Sequence, residues 1–273
     1  RRVTIGGKAI RTIDMHSHVF IQEAWPLVKD SPQVDRAMAN LGSGPMAVDA
    51  ATIERRFREM DRQGIDLHVI SVHPSQFLYF TTPDLAARIV KMQNEKIAEI
   101  CAAHPDRFVG LGNVSLQAPE LAVEQLNDAV GKLNLRGVIV GANVNGSELV
   151  NAKLDPFWKR AEDLGAIVFV HPAGWDDGAK RLDGAGALGN NIGFPLDTTV
   201  ALSHMIFEGF LDRFPGLKIV AAHGGGFLAS YIGRSDNCHA LQATCQKAKR
   251  KPSEYLRGPQ LYFDSLVYSP QNV

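Results

Sequence analysis

Short apolar segments rich in β-branched residues alternate along this chain with longer segments whose apolar residues recur at helical spacing. The short segments are typical of strands, and the longer ones are typical of helices with one apolar face. The alternation predicts a series of βαβ units. We place seven strands, at Thr12–His16, Ile65–Val72, Phe108–Asn113, Leu135–Val140, Ala166–Val170, Leu217–Ala222 and Leu261–Asp264.

Several of these strands are apolar at every position, as expected when both faces of a parallel strand are buried. A barrel and a doubly wound open sheet would both satisfy this pattern. Candidate polar residues recur at the C-terminal ends of the strands, which is where barrels place their chemistry. We therefore predict an α/β fold, a (β/α)8 TIM-type barrel formed as a single domain by residues 1–273, with no eighth strand before Val273.

Two long segments rich in Gly, Pro and Asn interrupt the regular units, Gln22–Asp49 after the first strand and Ala173–Leu196 after the fifth. Both leave the sheet at the end where the strands terminate. We expect them to be lids or substrate loops.

The 273 residues contain 29 Lys and Arg against 29 Asp and Glu, so the charge balance offers neither a basic surface for nucleic acid nor an acidic tail. A small molecule is the expected partner. No segment has the length of apolar sequence that a membrane helix needs. The three cysteines, Cys101, Cys238 and Cys245, lack CxxC spacing, and we interpret them as thiols in a reducing compartment, the cytoplasm.

Four histidines lie at predicted strand ends: His16 and His18 after the first strand, His171 after the fifth and His223 after the sixth. Because alternate residues of a strand point to the same face, His16 and His18 direct both imidazoles to one side. Imidazole nitrogens suit zinc and manganese, and a catalytic site needs a few protein ligands and an open position. The pattern predicts one divalent ion, zinc before manganese.

Three motifs occur in order at these strand ends: Asp14-Met-His-Ser-His18, Val170-His-Pro172 and Ala222-His-Gly-Gly-Gly226. In this order they resemble the amidohydrolase superfamily, and more narrowly the branch of aminocarboxymuconate semialdehyde decarboxylase and the resorcylate-type decarboxylases. The resemblance covers nearly the whole chain, including Phe263-Asp-Ser265 at the seventh strand.

The resemblance implies that His16, His18 and His171 bind the metal and that His223 handles a proton beside it. It also implies a further aspartate ligand after an eighth strand, and the sequence ends before one. We expect the sequence to be an excerpt, because a seven-stranded barrel would leave unpaired edges. A native but incomplete barrel is the alternative.

The reaction that the resemblance implies is nonoxidative decarboxylation of a conjugated or aromatic carboxylic acid. The resemblance also implies that Arg234 binds a substrate carboxylate in the site of a neighbouring subunit, within a homodimer or larger homo-oligomer. Trp175 and Phe194 are candidates for an apolar lid over the substrate, and His73, at the end of the second strand, is a candidate to face it. Two alternatives stay open, a hydrolase or hydratase that uses the same metal-bound water and an inactive metal-binding barrel.

Overall fold

The computed structural model describes residues 3–34, 36–174, 178–184 and 186–269. Within these ranges seven parallel strands coincide closely with the seven predicted ones. In chain order, and named below the first to the seventh strand, they are Ile13–Val19, Leu67–Val72, Phe108–Gly110 continued by Gly112–Asn113, Gly137–Gly141, Ile167–His171, Lys218–Ala221 and Leu261–Phe263.

Each strand from the second to the seventh pairs in parallel with the strand that precedes it in the sequence. The order of strands therefore never reverses, whereas a doubly wound sheet has a reversal point. The sheet also curls, because the side chain of His16 in the first strand contacts that of Asp264, which follows the seventh, at 2.7 Å. This arrangement confirms the predicted α/β barrel.

The first strand contains an irregularity next to its histidines. Asp14 lies opposite His68 of the second strand and Ser17 lies opposite Ile70, so the first strand has one residue more than its neighbour between these pairs. An extra residue of this kind is a β-bulge, which interrupts the ladder of hydrogen bonds and bends the strand.

Helices cover the outside of the sheet between the strands. The first, Ala50–Gln63, begins where the Asp49 side chain accepts a hydrogen bond from Thr52 N–H, and it ends at Gly64 in the left-handed conformation. The others are Pro83–Ala103, Pro119–Gly131, Asp155–Leu164, Ala179–Leu182, Phe194–Phe207, Phe210–Arg213, Ile232–Leu241 and Pro252–Tyr255. No helix of the described ranges is long and apolar enough to cross a membrane.

The core lies between the sheet and these helices. Strand residues such as Val138, Val168 and Ile219 are fully buried, in agreement with the apolar pattern of a strand covered on both faces. Trp158 of the helix Asp155–Leu164 is also fully buried, and its indole N–H donates to the Leu149 carbonyl at 2.8 Å. The buried indole is therefore both packed and hydrogen-bonded.

The expectation of three free thiols was wrong for two of the cysteines. Cys238 and Cys245 form a disulfide, with their Cα atoms 5.9 Å apart. Spacing alone did not reveal this pairing, because it depends on the chain folding back after the helix Ile232–Leu241 into the short turn Ala243–Cys245. Cys101 is free, and burial raises the pKa of its thiol to about 12.

Candidate metal centre

Four imidazole rings meet at the end of the sheet where the strands terminate. The His16 ring centroid lies 4.9 Å from that of His18, 4.9 Å from that of His171 and 5.0 Å from that of His223. The rings of His18 and His171 are also 4.9 Å apart. The fold thus brings all four histidines predicted from the motifs into one cluster.

Hydrogen bonds fix the tautomer of the three predicted ligands. His16 Nδ1 contacts a carboxylate oxygen of Asp264 at 2.7 Å, His18 Nδ1 contacts the Val72 carbonyl at 3.1 Å, and His171 Nδ1 contacts the Pro172 carbonyl at 2.8 Å. Carboxylate and carbonyl oxygens only accept, so each Nδ1 must carry the proton. In a neutral ring the lone pair is then left on Nε2.

Two of the Nε2 atoms, those of His16 and His171, face each other. His16 Nε2 and His171 Nε2 are 3.2 Å apart, and His18 Nε2 is buried without a hydrogen-bond partner in the described residues. Two imidazole lone pairs at this distance repel unless a proton or a cation lies between them. The nitrogens of His16 and His171 therefore fit a divalent metal ion bound between them, and the unpartnered Nε2 of His18 is a candidate for a third ligand atom.

Burial favours the uncharged form of two of these rings, His18 and His171. It lowers the pKa of His18 and of His171 well below the usual value for histidine, and the neighbouring imidazoles lower both further. A neutral imidazole is the form that binds a metal ion. The electrostatics and the hydrogen bonds thus support the same interpretation of the cluster.

His223 lies as close to the cluster as the predicted ligands do. One ring nitrogen each from His16, His171 and His223 can be chosen such that all lie within 4.8 Å of one another. Burial and the neighbouring His16 lower the pKa of His223 to about 4, although Asp264 acts in the opposite direction. His223 Nδ1 is buried and has no hydrogen-bond partner within the described ranges.

The backbone at His223 is strained and closely packed. Its φ of 54° places a non-glycine residue in the left-handed region, a feature that concentrates at functional sites. The three glycines that follow permit close packing: a Cβ on Gly224 would meet Val267 at 2.5 Å, and one on Gly226 would meet the Pro195 carbonyl at 2.1 Å. The three glycines therefore let side chain and main chain approach the turn at His223 closely.

Asp264 is the site residue that the sequence analysis did not single out. Its buried carboxylate accepts hydrogen bonds from His16 Nδ1, from the main-chain N–H groups of His223 and Gly224, and from that of Leu266. Burial alone would raise the pKa of Asp264, but the hydrogen bonds outweigh it and the pKa lies below its usual value. The available signal was an acidic residue directly after the seventh strand.

The candidate substrate-binding residues lie at different distances from the cluster. Phe194 stacks near the His223 ring, with centroids 6.3 Å apart and planes inclined by 21°, and the His73 ring lies 5.7 Å from that of His18. Arg234 is exposed on the helix Ile232–Leu241. Trp175 falls outside the described residues. The structure therefore brings Phe194 and His73 to the cluster, and places Arg234 on the surface.

A cavity of about 690 Å³ opens beside His223 and is lined in part by Asn191, Phe227 and Val267. This volume lies within the range of small-molecule sites. The cluster is therefore accessible to a small ligand from the side of His223.

A parallel barrel with histidines gathered at the carboxyl ends of its strands has the arrangement in which barrel enzymes hold catalytic metal ions. A family model described as amidohydrolase matches residues 13–273. The chain belongs to the amidohydrolase family.

Relatives of similar sequence carry decarboxylase names. The 2-amino-3-carboxymuconate-6-semialdehyde decarboxylase of Dictyostelium discoideum is 30% identical over 277 residues, which cover 95% of this chain and 75% of the relative. The gamma-resorcylate decarboxylase of Polaromonas sp. (strain JS666) is 31% identical over 216 residues, which cover 74% of this chain and 65% of the relative. The chain thus spans three quarters of the length of the first relative and slightly less than two thirds of the second.

Solved structures of decarboxylases share the fold. The 5-carboxyvanillate decarboxylase of Sphingomonas paucimobilis superposes with a TM-score of 0.79 at 26% identity, over 93% of this chain and 80% of the other. The dihydroxybenzoic acid decarboxylase of Polaromonas sp. JS666, solved with manganese and the inhibitor 2-nitroresorcinol, gives a TM-score of 0.77 at 26% identity, over 93% and 77%.

Proposed function

We propose that this protein is a metal-dependent, nonoxidative decarboxylase of a conjugated or aromatic carboxylic acid. The observation that carries the proposal is the convergence of ring nitrogens in the histidine cluster, with the Nε2 atoms of His16 and His171 3.2 Å apart. The decarboxylase names of the relatives supply the reaction class.

His16, His18 and His171 are the residues that would hold the ion. Bound there, a divalent cation supplies Lewis-acid polarisation of an oxygen ligand. Imidazole ligands suit zinc, whereas manganese prefers oxygen ligands. Manganese is the first ion to test, because the Polaromonas relative was solved with it.

His223 is the residue that would move the proton. Its Nδ1 is the atom at which we place proton delivery, because that atom is free of hydrogen bonds within the described residues and the ring borders the cavity. In the reaction a C–H bond forms at the carbon that bears the carboxylate. The C–C bond to that carboxylate then breaks, its electron pair returns to the conjugated system, and carbon dioxide leaves.

Phe194 and His73 would contact the substrate, Phe194 through its ring beside His223 and His73 through its imidazole beside His18. Trp175 keeps its proposed place in the lid from the sequence. Arg234 is exposed on its own subunit, as a residue that serves a neighbouring site must be. We therefore propose a homodimer or a larger homo-oligomer in which Arg234 binds a substrate carboxylate across the interface. A cytoplasmic location stays a prediction.

Carbon dioxide release tests the reaction. The metal-loaded protein is incubated with a panel of hydroxylated benzoic acids and muconate-like acids, and we expect one carbon dioxide for each substrate consumed. The matched control is the His16→Ala protein, which should release none. Consumption of ester or amide substrates without carbon dioxide would instead make the protein a hydrolase. Purified protein that takes up no divalent metal would contradict every catalytic interpretation.

A further inference from the structure

A polar network lies on the side of the first strand that faces away from the metal cluster. Ser17 alternates with His16 and His18, so its buried side chain points to the opposite face. Arg56, from the helix Ala50–Gln63, reaches this face and donates to Ser17 Oγ at 2.7 Å and to the His18 carbonyl at 2.9 Å. It also donates to the Pro45 carbonyl at 3.4 Å, at the end of the long loop after the first strand.

The donor and the acceptor of each hydrogen bond in this network can be assigned, starting from Arg56. A guanidinium can only donate, so Ser17 Oγ accepts from Arg56 and uses its own proton toward His68 Nδ1, which lies 3.1 Å away. His68 then carries its proton on Nε2, which faces an Asp14 carboxylate oxygen at 3.4 Å. The other Asp14 oxygen accepts the main-chain N–H of His16 at 2.9 Å.

The network joins the main chain of two proposed metal ligands, His16 and His18. It begins at the carbonyl of His18 and ends at the N–H of His16, and the β-bulge falls between Asp14 and Ser17. Because a bulge removes regular ladder bonds, this part of the strand needs other groups to define its path. Arg56 and Asp14 supply them from outside the sheet.

Packing alone does not account for this half-buried arginine. The three hydrogen-bond acceptors of Arg56 are uncharged oxygens, and burying a guanidinium costs free energy that an apolar side chain of similar size would avoid. What the fork of donors adds is direction: one nitrogen fixes the Ser17 side chain while the other fixes the His18 main chain.

We propose that Arg56 is a positioning residue for the metal centre: through Ser17 and the His18 carbonyl it sets the backbone path that aims His16 and His18 at one ion. The proposal rests on metal binding in the proposed function, and it adds a residue on the outer face of the barrel wall. Residues that orient metal ligands commonly change metal affinity about 10- to 100-fold when they are replaced.

The test is Co²⁺ binding to the purified protein. Two quantities are measured: the affinity for Co²⁺ and the visible absorption of the bound ion, which reports its coordination geometry. The variants are Arg56→Lys, which keeps the charge but loses the fork, and Ser17→Ala, which removes one hydroxyl. The matched control is Arg58→Lys on the same helix, because the Arg58 side chain is 70% exposed and pairs only weakly with Glu54 at 3.7 Å. Far-ultraviolet circular dichroism checks folding.

We expect Arg56→Lys to bind Co²⁺ about 10- to 100-fold more weakly than the unmodified protein, with an altered spectrum. Ser17→Ala should weaken binding in the same direction, and it carries the test if Arg56→Lys does not fold. Arg58→Lys should match the unmodified protein. Unchanged affinity and spectrum in the folded variants would overturn the role of Arg56 while leaving the proposed function intact. No Co²⁺ binding by the unmodified protein would overturn both.

Discussion

Replacing Asp264 by asparagine tests how the tautomer of His16 is set. One carboxylate oxygen accepts from His16 Nδ1 at 2.7 Å and from His223 N–H at 3.0 Å. The other accepts from Gly224 N–H at 2.9 Å and from Leu266 N–H at 3.1 Å. An amide must place its NH₂ group where one of these two oxygens was, so two donors lose their acceptor in either orientation.

The two orientations differ in free energy because a main-chain N–H group is always a donor, whereas His16 can move its proton from one ring nitrogen to the other. With NH₂ toward Gly224 and Leu266, two main-chain donors lose their partner. With NH₂ toward His16, the imidazole can shift its proton to Nε2 and accept at Nδ1, so that only the His223 N–H lacks an acceptor. The second orientation is therefore favoured, and it protonates the nitrogen that would bind the metal.

From this we expect Asp264→Asn to weaken Mn²⁺ binding about 10- to 100-fold, which is about 1.4 to 2.8 kcal/mol. One buried donor without an acceptor should also reduce the free energy of unfolding of the metal-free protein by about 1–3 kcal/mol. Calorimetric titration with Mn²⁺ measures the first effect, and urea unfolding measures the second.

The matched control is Asp212→Asn. The Asp212 carboxylate likewise accepts a main-chain N–H, from Lys249 at 2.9 Å, and a side-chain donor, the Tyr255 hydroxyl at 2.6 Å, but none of the site histidines. It should lose stability and keep its affinity for Mn²⁺. If folded Asp264→Asn protein bound Mn²⁺ as tightly as the unmodified protein, the tautomer argument would be refuted.

Three further outcomes follow from the site. His223→Gln should keep its bound metal and lose about 10²- to 10⁴-fold in kcat, measured by carbon dioxide release beside metal analysis; loss of the metal would instead make His223 a ligand. Mixing inactive Arg234→Ala subunits with inactive His16→Ala subunits should restore partial activity, since one site in the hybrid then has both residues; no recovery would contradict a shared site. Mn²⁺ at 100 times its Kd should stabilise the fold by about 2.7 kcal/mol in urea unfolding, with reversal by a chelator; an unchanged midpoint would contradict specific binding.

The fold could be predicted from the sequence because its signals are local. Each strand is a short apolar segment, because both faces of every parallel strand in the barrel are buried. The choice between barrel and open sheet was harder, because both bury parallel strands equally. The order of pairing settles it, and that order is a long-range property of the chain.

The site was predictable where a motif holds the residues close in sequence and hidden where contacts join distant ones. His16 and His18 could be paired through strand periodicity, and His171 and His223 could be added because they lie at the ends of later predicted strands. Asp264 reaches His16 across 248 positions of sequence, and the disulfide depends on a turn that spacing did not reveal. The disulfide leaves no local pattern, and the local sign of Asp264 is only its position directly after the seventh strand.

The metal centre also shows why its supporting residues matter as much as its ligands. An imidazole binds a metal ion only through the nitrogen that lacks a proton, and the proton follows whichever hydrogen bond is better satisfied. Asp264 holds the proton of His16 on Nδ1 from inside the barrel. From outside, Asp14 fixes the main chain at His16 and Arg56 fixes it at His18. The two sets share no side chain, so a substitution in one should leave the other in place. Combining Asp264→Asn with Arg56→Lys should therefore lower metal affinity by close to the sum of the two separate free-energy changes, and a clear departure from that sum would mean that the two faces of the first strand act as one unit.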